Sequence, residues 1–170
     1  DEVICGFGRT GNMWGAETYN LKPDLISCAK ALSSAYLPIS ALLINDKIFK
    51  AMENQSKKLG IFGHGSTYAG HPVSAAVALE TLNIYESDDI INHVKMISKK
   101  FIPGLQEFAS SSVVGEVRCV GLIGAIELVK NKANKLKFDP ESAVGAYCQG
   151  RALESGLIIR AIGDSIGFCP

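Results

Sequence analysis

The chain has 170 residues, enough for one domain of ordinary size or one and a half small ones. Its 17 Lys plus Arg balance 17 Asp plus Glu, which argues against a nucleic-acid or polybasic membrane binder, since both need a positive excess against phosphate. Hydrophobic residues make up 47% and charged residues 20%, the profile of a globular chain with a true core, and no apolar run approaches the ~18 residues of a membrane span.

Cys5, Cys28, Cys119, Cys148 and Cys169 are odd in number and scattered, with no C-x-x-C spacing. They read as buried thiols of an intracellular, reducing compartment rather than a zinc or redox motif. His64, His71 and His93 stand at no metal-ligand spacing, so no metal site is expected. The chain has no initiator Met, opens inside what reads as a strand without signal-peptide character, and stops at Pro170 after an apolar run. It is expected to be a piece of a longer protein.

Residues 1–11 read as a strand end followed by a glycine-rich loop, and residues 12–24 as loop, with Pro23 blocking a helix. Leu25-Ile26-Ser27-Cys28 predicts a short buried strand and Ile39 to Ile44 the next one. Asp46 can cap a helix whose Ile48, Phe49 and Met52 share one face. Gly60 to His71 is a loop, and Pro72 suits the first turn of a helix running to about Tyr85. That helix is apolar nearly all round, which predicts burial on more than one side. Ser87 to Ala109 forms a long amphipathic helix that Pro103 should kink or break.

From Val113 to Val129 the pattern predicts two strands, followed by a polar connector from Lys130 to Pro140. Ser142 to Glu154 reads as a helix with Val144, Tyr147, Cys148 and Ala152 on one face and Gly156 as its stop. Leu157 to Ile162 is a strand and Ile166 to Cys169 begins another. The first half alternates strand and helix in the α/β manner and the second is α+β, placing a domain boundary near residue 86.

Gly6-Phe-Gly8-Arg-Thr-Gly11 satisfies the dinucleotide pattern G-x-G-x-x-G, which counts only if a helix opens on its third glycine. The residues that follow carry no helical stripe, so an NAD site is the weakest of the readings. Asp1 and Lys30 form a sharper pair, each on the C-terminal side of an apolar strand, where open α/β sheets place ligand chemistry. Burial of Lys30 would make its amine a nucleophile. A lysine snorkelling out at the strand's end is the plain alternative, and spacing does not choose between them.

Asp1-Glu-Val-Ile-Cys-Gly-Phe-Gly-Arg-Thr-Gly11 followed by Pro23-Asp-Leu-Ile-Ser-Cys-Ala-Lys30-Ala-Leu-Ser-Ser resembles the signature of the class III pyridoxal-phosphate aminotransferases, acid and lysine 29 positions apart. Gly63-His-Gly-Ser-Thr67-Tyr-Ala-Gly-His-Pro72 and Val117-Arg-Cys-Val-Gly-Leu-Ile-Gly-Ala-Ile-Glu127-Leu resemble two further family motifs, so the similarity covers essentially the whole chain. The fold this implies is α/β, fold-type I: the end of the large cofactor domain over residues 1–86 and a truncated small α+β C-terminal domain over 87–170.

The resemblance also implies roles. Lys30 would form the Schiff base with the aldehyde of pyridoxal 5'-phosphate and then move the proton between substrate and cofactor carbons. Asp1 would pair with the pyridine nitrogen and keep it protonated, making the ring an electron sink. Val3, on the same strand face as Asp1, would pack against the ring. Thr67 looks like the phosphate ligand that the family donates across a homodimer interface. Arg160 interrupts the apolar run Leu-Ile-Ile-Arg-Ala-Ile, and its position matches an arginine that binds the substrate carboxylate in ω-amino-acid transaminases. An arginine exposed on an edge strand is the alternative. Arg9 and Arg118 read as structural.

Lys58-Leu-Gly-Ile-Phe, Ala31-Leu-Ser-Ser-Ala-Tyr-Leu-Pro and Phe138-Asp-Pro resemble the pyruvate-dependent ω-transaminases, which act on 4-aminobutyrate, β-alanine or putrescine. Ser66 stands where these usually carry Phe, and Cys119 where Gly is common. The resemblance therefore implies amino transfer from an ω-amino acid or amine to a keto acid, with pyruvate as acceptor. The rivals are a 2,1-aminomutase or decarboxylating transaminase on the same scaffold, a non-catalytic chain of this fold, and a nucleotide binder.

Overall fold

The computed structural model describes all residues from Asp1 to Pro170, which form two compact units, Asp1–Ile91 and Asn92–Pro170. In the first unit, residues 3–10 form successive turns: the expected glycine-rich loop is there, and the strand end expected before it is not. The glycines explain this. Gly8 (φ 98°) and Gly11 (φ 91°) adopt left-handed backbone, Phe7 joins them at φ 62°, and the Phe7 amide donates to the Met13 carbonyl at 2.6 Å. The chain folds back on itself before any ladder can form. Helix α1 (Gly15–Thr18) is a single turn, and no helix opens on Gly11.

Strands β1 (Leu25–Cys28) and β2 (Ala41–Ile44) pair antiparallel as a two-stranded sheet, Leu25 opposite Ile44 and Cys28 opposite Ala41. Only Cys28 of β1 is buried. Helix α2 (Asp46–Leu59) is capped by Asn45, not Asp46: the Asn45 side chain accepts from the Ile48 amide at 3.1 Å. That satisfies one of the amides a helix start leaves without a partner. No residue of α2 is buried.

Helix α3 (Pro72–Ser87) starts on proline as its sequence predicts, but buries only Ala78 and Thr81. Leu79, 62% exposed, corrects the expectation of a helix covered on several sides. The first core gathers Phe7, Cys28, Leu32 and Ala78, with Trp14, Ile39, Leu82 and Tyr85 packed against them.

Helix α4 (Ile90–Gln106) runs through Pro103 and ends one turn later. The proline shortens the expected helix at its end and does not break it in the middle; a 3₁₀ turn, Glu107–Ser110, follows. Strands β3 (Val114–Val120), β4 (Ile123–Leu128), β5 (Arg160–Ile162) and β6 (Ser165–Phe168) form an antiparallel sheet in the order β3-β4-β6-β5. Strict alternation along β4 buries Gly124, Ile126 and Leu128 and half-exposes the residues between them, the period-2 signature of a sheet with one covered face. The second core is Leu105, Val114, Ile126, Leu128 and Ile166. Helix α5 (Val144–Glu154) packs Val144 and Cys148 on it, while Tyr147, expected on the same face, is 69% exposed. The strand expected from Leu157 begins only at Arg160.

Candidate active site around Lys30

The chain turns abruptly where β1 ends. Ala29 is extended (φ −161°), and Lys30 flips to φ 48°, a left-handed conformation that costs a non-glycine residue about 1–3 kcal/mol. Such strain persists only where the surroundings impose it. Here the 3₁₀ turn Lys30–Leu32 is held from three directions. Leu32 is buried in the first core. Ser33, 2% exposed, donates its hydroxyl to the Leu37 carbonyl at 2.6 Å. The Tyr85 hydroxyl, on α3, donates to the Ala31 carbonyl at 2.7 Å while the Tyr85 ring stands 6.3 Å from that of Phe7. The backbone at Lys30 is anchored on both sides, and its side chain is exposed. Residues 1–170 do not supply the burial expected of Lys30, since the interior under the turn is filled by Cys28 and Leu32.

Asp1 is brought to the same end of β1 by one backbone contact: the Glu2 amide donates to the Ser27 carbonyl at 2.8 Å, three residues before Lys30. Asp1 Oδ1 accepts from the Val3 amide at 2.8 Å, an Asx-type turn. Val3 is half-buried, but the strand face it was expected to share with Asp1 does not exist; the turn sets its direction instead. An exposed carboxylate and an exposed primary amine beside one strand end are a donor set that fits a pyridine ring bearing an aldehyde.

Thr67 lies in the segment 61–70, every residue of which is exposed, and makes no hydrogen bond to Asp1 or Lys30. Arg160 opens the edge strand β5, opposite Gly167, and is exposed, as the plain reading of an edge-strand arginine has it. Arg118 lies 3.6 Å from Glu116 and 3.4 Å from Glu127 on the β3–β4 pair.

Sequence reasoning passed over Glu2, Ser33 and Tyr85. An acid in the run Asp-Glu-Val-Ile was a visible sign at Glu2. Tyr85 acts on a carbonyl 54 positions away, and nothing local marks it.

All 170 residues match the family model described as aminotransferase class-III, and the chain belongs to that family, with its α/β fold. Among its relatives, gamma aminobutyrate transaminase 3, chloroplastic, of Solanum lycopersicum is 51% identical over the whole chain, which spans 33% of that protein. Vanillin aminotransferase of Capsicum annuum is 48% identical, with 37% of its length covered. Among solved structures, the omega transaminase from Pseudomonas jessenii in complex with PMP superposes with a TM-score of 0.96 at 47% identity, covering all of this chain and 38% of that one. A transaminase with L-Ala gives 0.97 at 47%, covering 40% of its chain. The chain thus spans about a third of the length of the curated relatives it matches.

Proposed function

We propose that these residues furnish the lysine-bearing part of a pyridoxal-phosphate transaminase that moves an amino group from an ω-amino acid or amine to a keto acid, pyruvate first among acceptors. The observation that supports the reading is the Glu2–Ser27 contact, which ties the residue after Asp1 to the strand that ends just before the strained, anchored turn of Lys30. Bound pyridoxal phosphate would supply an electrophilic aldehyde and an electron-accepting ring. With the cofactor bound, Lys30 Nζ would be the nucleophile toward that aldehyde and the group that takes and returns the substrate proton. The Asp1 carboxylate would hold the proton on the ring nitrogen, since a carboxylate favours a cation beside it. Val3 would pack against the ring.

The names of the relatives support the substrate class. One is named for gamma aminobutyrate and one for vanillin, an aldehyde; a third was solved with L-Ala, the amino form of pyruvate, and a fourth with PMP, the aminated cofactor. Thr67 is proposed to reach the phosphate in the partner's site of a homodimer, a role its exposed loop allows. Arg160 is proposed for the substrate carboxylate, its planar fork matching that group. Relatives named chloroplastic and mitochondrial, and five cysteines with no disulfide, support a reducing compartment inside the cell. No helix is long and apolar enough to cross a membrane.

The test is an absorbance spectrum of the full-length protein with pyridoxal phosphate, before and after borohydride, beside Lys30→Ala. A visible band fixed by borohydride in the parent and missing in the variant is expected. Donor and acceptor screens with 4-aminobutyrate, pyruvate and vanillin then grade the substrates. A parent without the band ends the transaminase reading.

A further inference from the structure

Glu2 is 5% exposed, although it neighbours the exposed Asp1. Four hydrogen bonds converge on this one residue. Its amide donates to Ser27 O at 2.8 Å, and its carbonyl accepts from the Gly6 amide at 2.9 Å. Oε2 accepts from the Gly15 amide at 2.8 Å and Oε1 from the Ala16 amide at 2.7 Å. The backbone of Glu2 therefore belongs to the end of β1, and its side chain to the start of α1, 13 residues on. Position 15 is shaped to admit the carboxylate: a Cβ there would lie 2.8 Å from the Cys5 Cβ and 3.1 Å from Glu2 Oε2. Glycine is needed for the approach.

We propose that Glu2 is the positioning residue that fixes Asp1 relative to Lys30. The Asp1 side chain makes its own turn to Val3, and Glu2 is the neighbour that ties this turn to the end of β1. A carboxylate has two equivalent acceptor oxygens, and here each serves a different amide. A carboxamide offers one acceptor and turns an N–H donor against the other amide. Loss of either anchor frees the first turn to move along β1 and draws Asp1 away from the ring nitrogen it is proposed to hold. The inference rests on the transaminase reading above.

The experiment uses the full-length protein, loaded with pyridoxal phosphate, as parent, Glu2→Gln, Glu2→Asp and Asp1→Asn. Asp keeps the charge but is one methylene short of spanning both amides. The readout is the pH midpoint of the visible absorbance change, together with the rate of cofactor loss on dilution. Weaker protonation of the ring nitrogen raises that midpoint. Both Glu2 variants should still be fixed by borohydride through Lys30, with the midpoint raised by about one pH unit and in the direction of Asp1→Asn. Cofactor loss should accelerate about tenfold, about the effect of one lost charge-assisted hydrogen bond.

A parent band with unmoved midpoints in both Glu2 variants overturns the proposal and leaves the transaminase reading intact. Variants that do not fold, or that lose fixation by borohydride, make Glu2 merely structural and overturn it as well. Absence of a band in the parent removes both.

Discussion

Cys28 shows how burial controls a single group. It is 2% exposed, and desolvation pushes its thiol above the ordinary 9.0; a backbone hydrogen bond involving Ala41 opposes that and the Glu2 carboxylate reinforces it. A thiol whose folded value lies above its unfolded one binds its proton more tightly in the folded state. Its contribution is complete below pH 9 and is lost as pH rises through the folded value. Denaturant midpoints should therefore fall as pH rises above 9.0, and Cys28→Ala should flatten that decline relative to the parent. Burial pushes the Cys119 thiol in the same direction, so a Cys28→Ala, Cys119→Ala double variant should be flatter still. An unchanged slope in both would show that neither thiol couples ionisation to folding. Lys30 is the counterpart at the surface: its left-handed backbone is held while its amine is presented outward.

At the scale of elements, close approaches decide what can be substituted. Where α5 begins, Gly145 is buried, and its amide donates to Asp164 Oδ1 at 3.0 Å. A Cβ on Gly145 would run into the backbone carbonyl of Gly163, in the turn between β5 and β6. Backbone cannot swing aside as a flexible side chain can, so Gly145→Ala should cost about 1–3 kcal/mol, toward the upper end. Urea titration of the variant against the parent checks this, and a loss under about 0.5 kcal/mol would mean the turn yields. The elements most legible in the sequence were those with local punctuation. Pro72 announced α3 and the glycines between Val113 and Val129 announced a strand pair. The strand end expected at the start of the chain was misread because the turn there depends on Phe7 adopting a positive φ, which no apolar pattern announces, whereas the glycine-rich loop was legible. Asp46 was taken as a cap one residue late, two adjacent cap-forming side chains being equivalent to a sequence reader. For the site, Asp1 and Lys30 were legible as a spaced pair; the contacts that hold them, from Glu2 and Tyr85, join distant positions and were not.

Across the whole molecule, apolar surface is the outstanding feature. Ile158 is 86% exposed, Tyr68 83% and Tyr36 80%, and helix α3 leaves Val73, Leu79 and Ile84 open. Chains that stay monomeric rarely expose large apolar patches. The isolated 170-residue chain should therefore bind a hydrophobic dye strongly and self-associate at micromolar concentration, whereas the full-length protein should do neither as strongly. Light scattering and dye fluorescence on both would check this, and a monomeric, dye-silent fragment would contradict it. The helix read as buried on several sides from its composition has the right composition for that role; residues 1–170 alone provide one covered side.

The tyrosine that anchors the lysine turn also sets an order of events during synthesis. Ala31 and its partner Tyr85 are 54 residues apart, whereas β3 and β4 meet across a turn between Val120 and Ile123. Long closures form late and short ones early. On a ribosome, the Lys30 turn stays unclamped until α3 has emerged from the exit tunnel. Until then the left-handed backbone at Lys30 has no partner on α3 to hold it, and the turn gains its geometry only when the later helix closes over it.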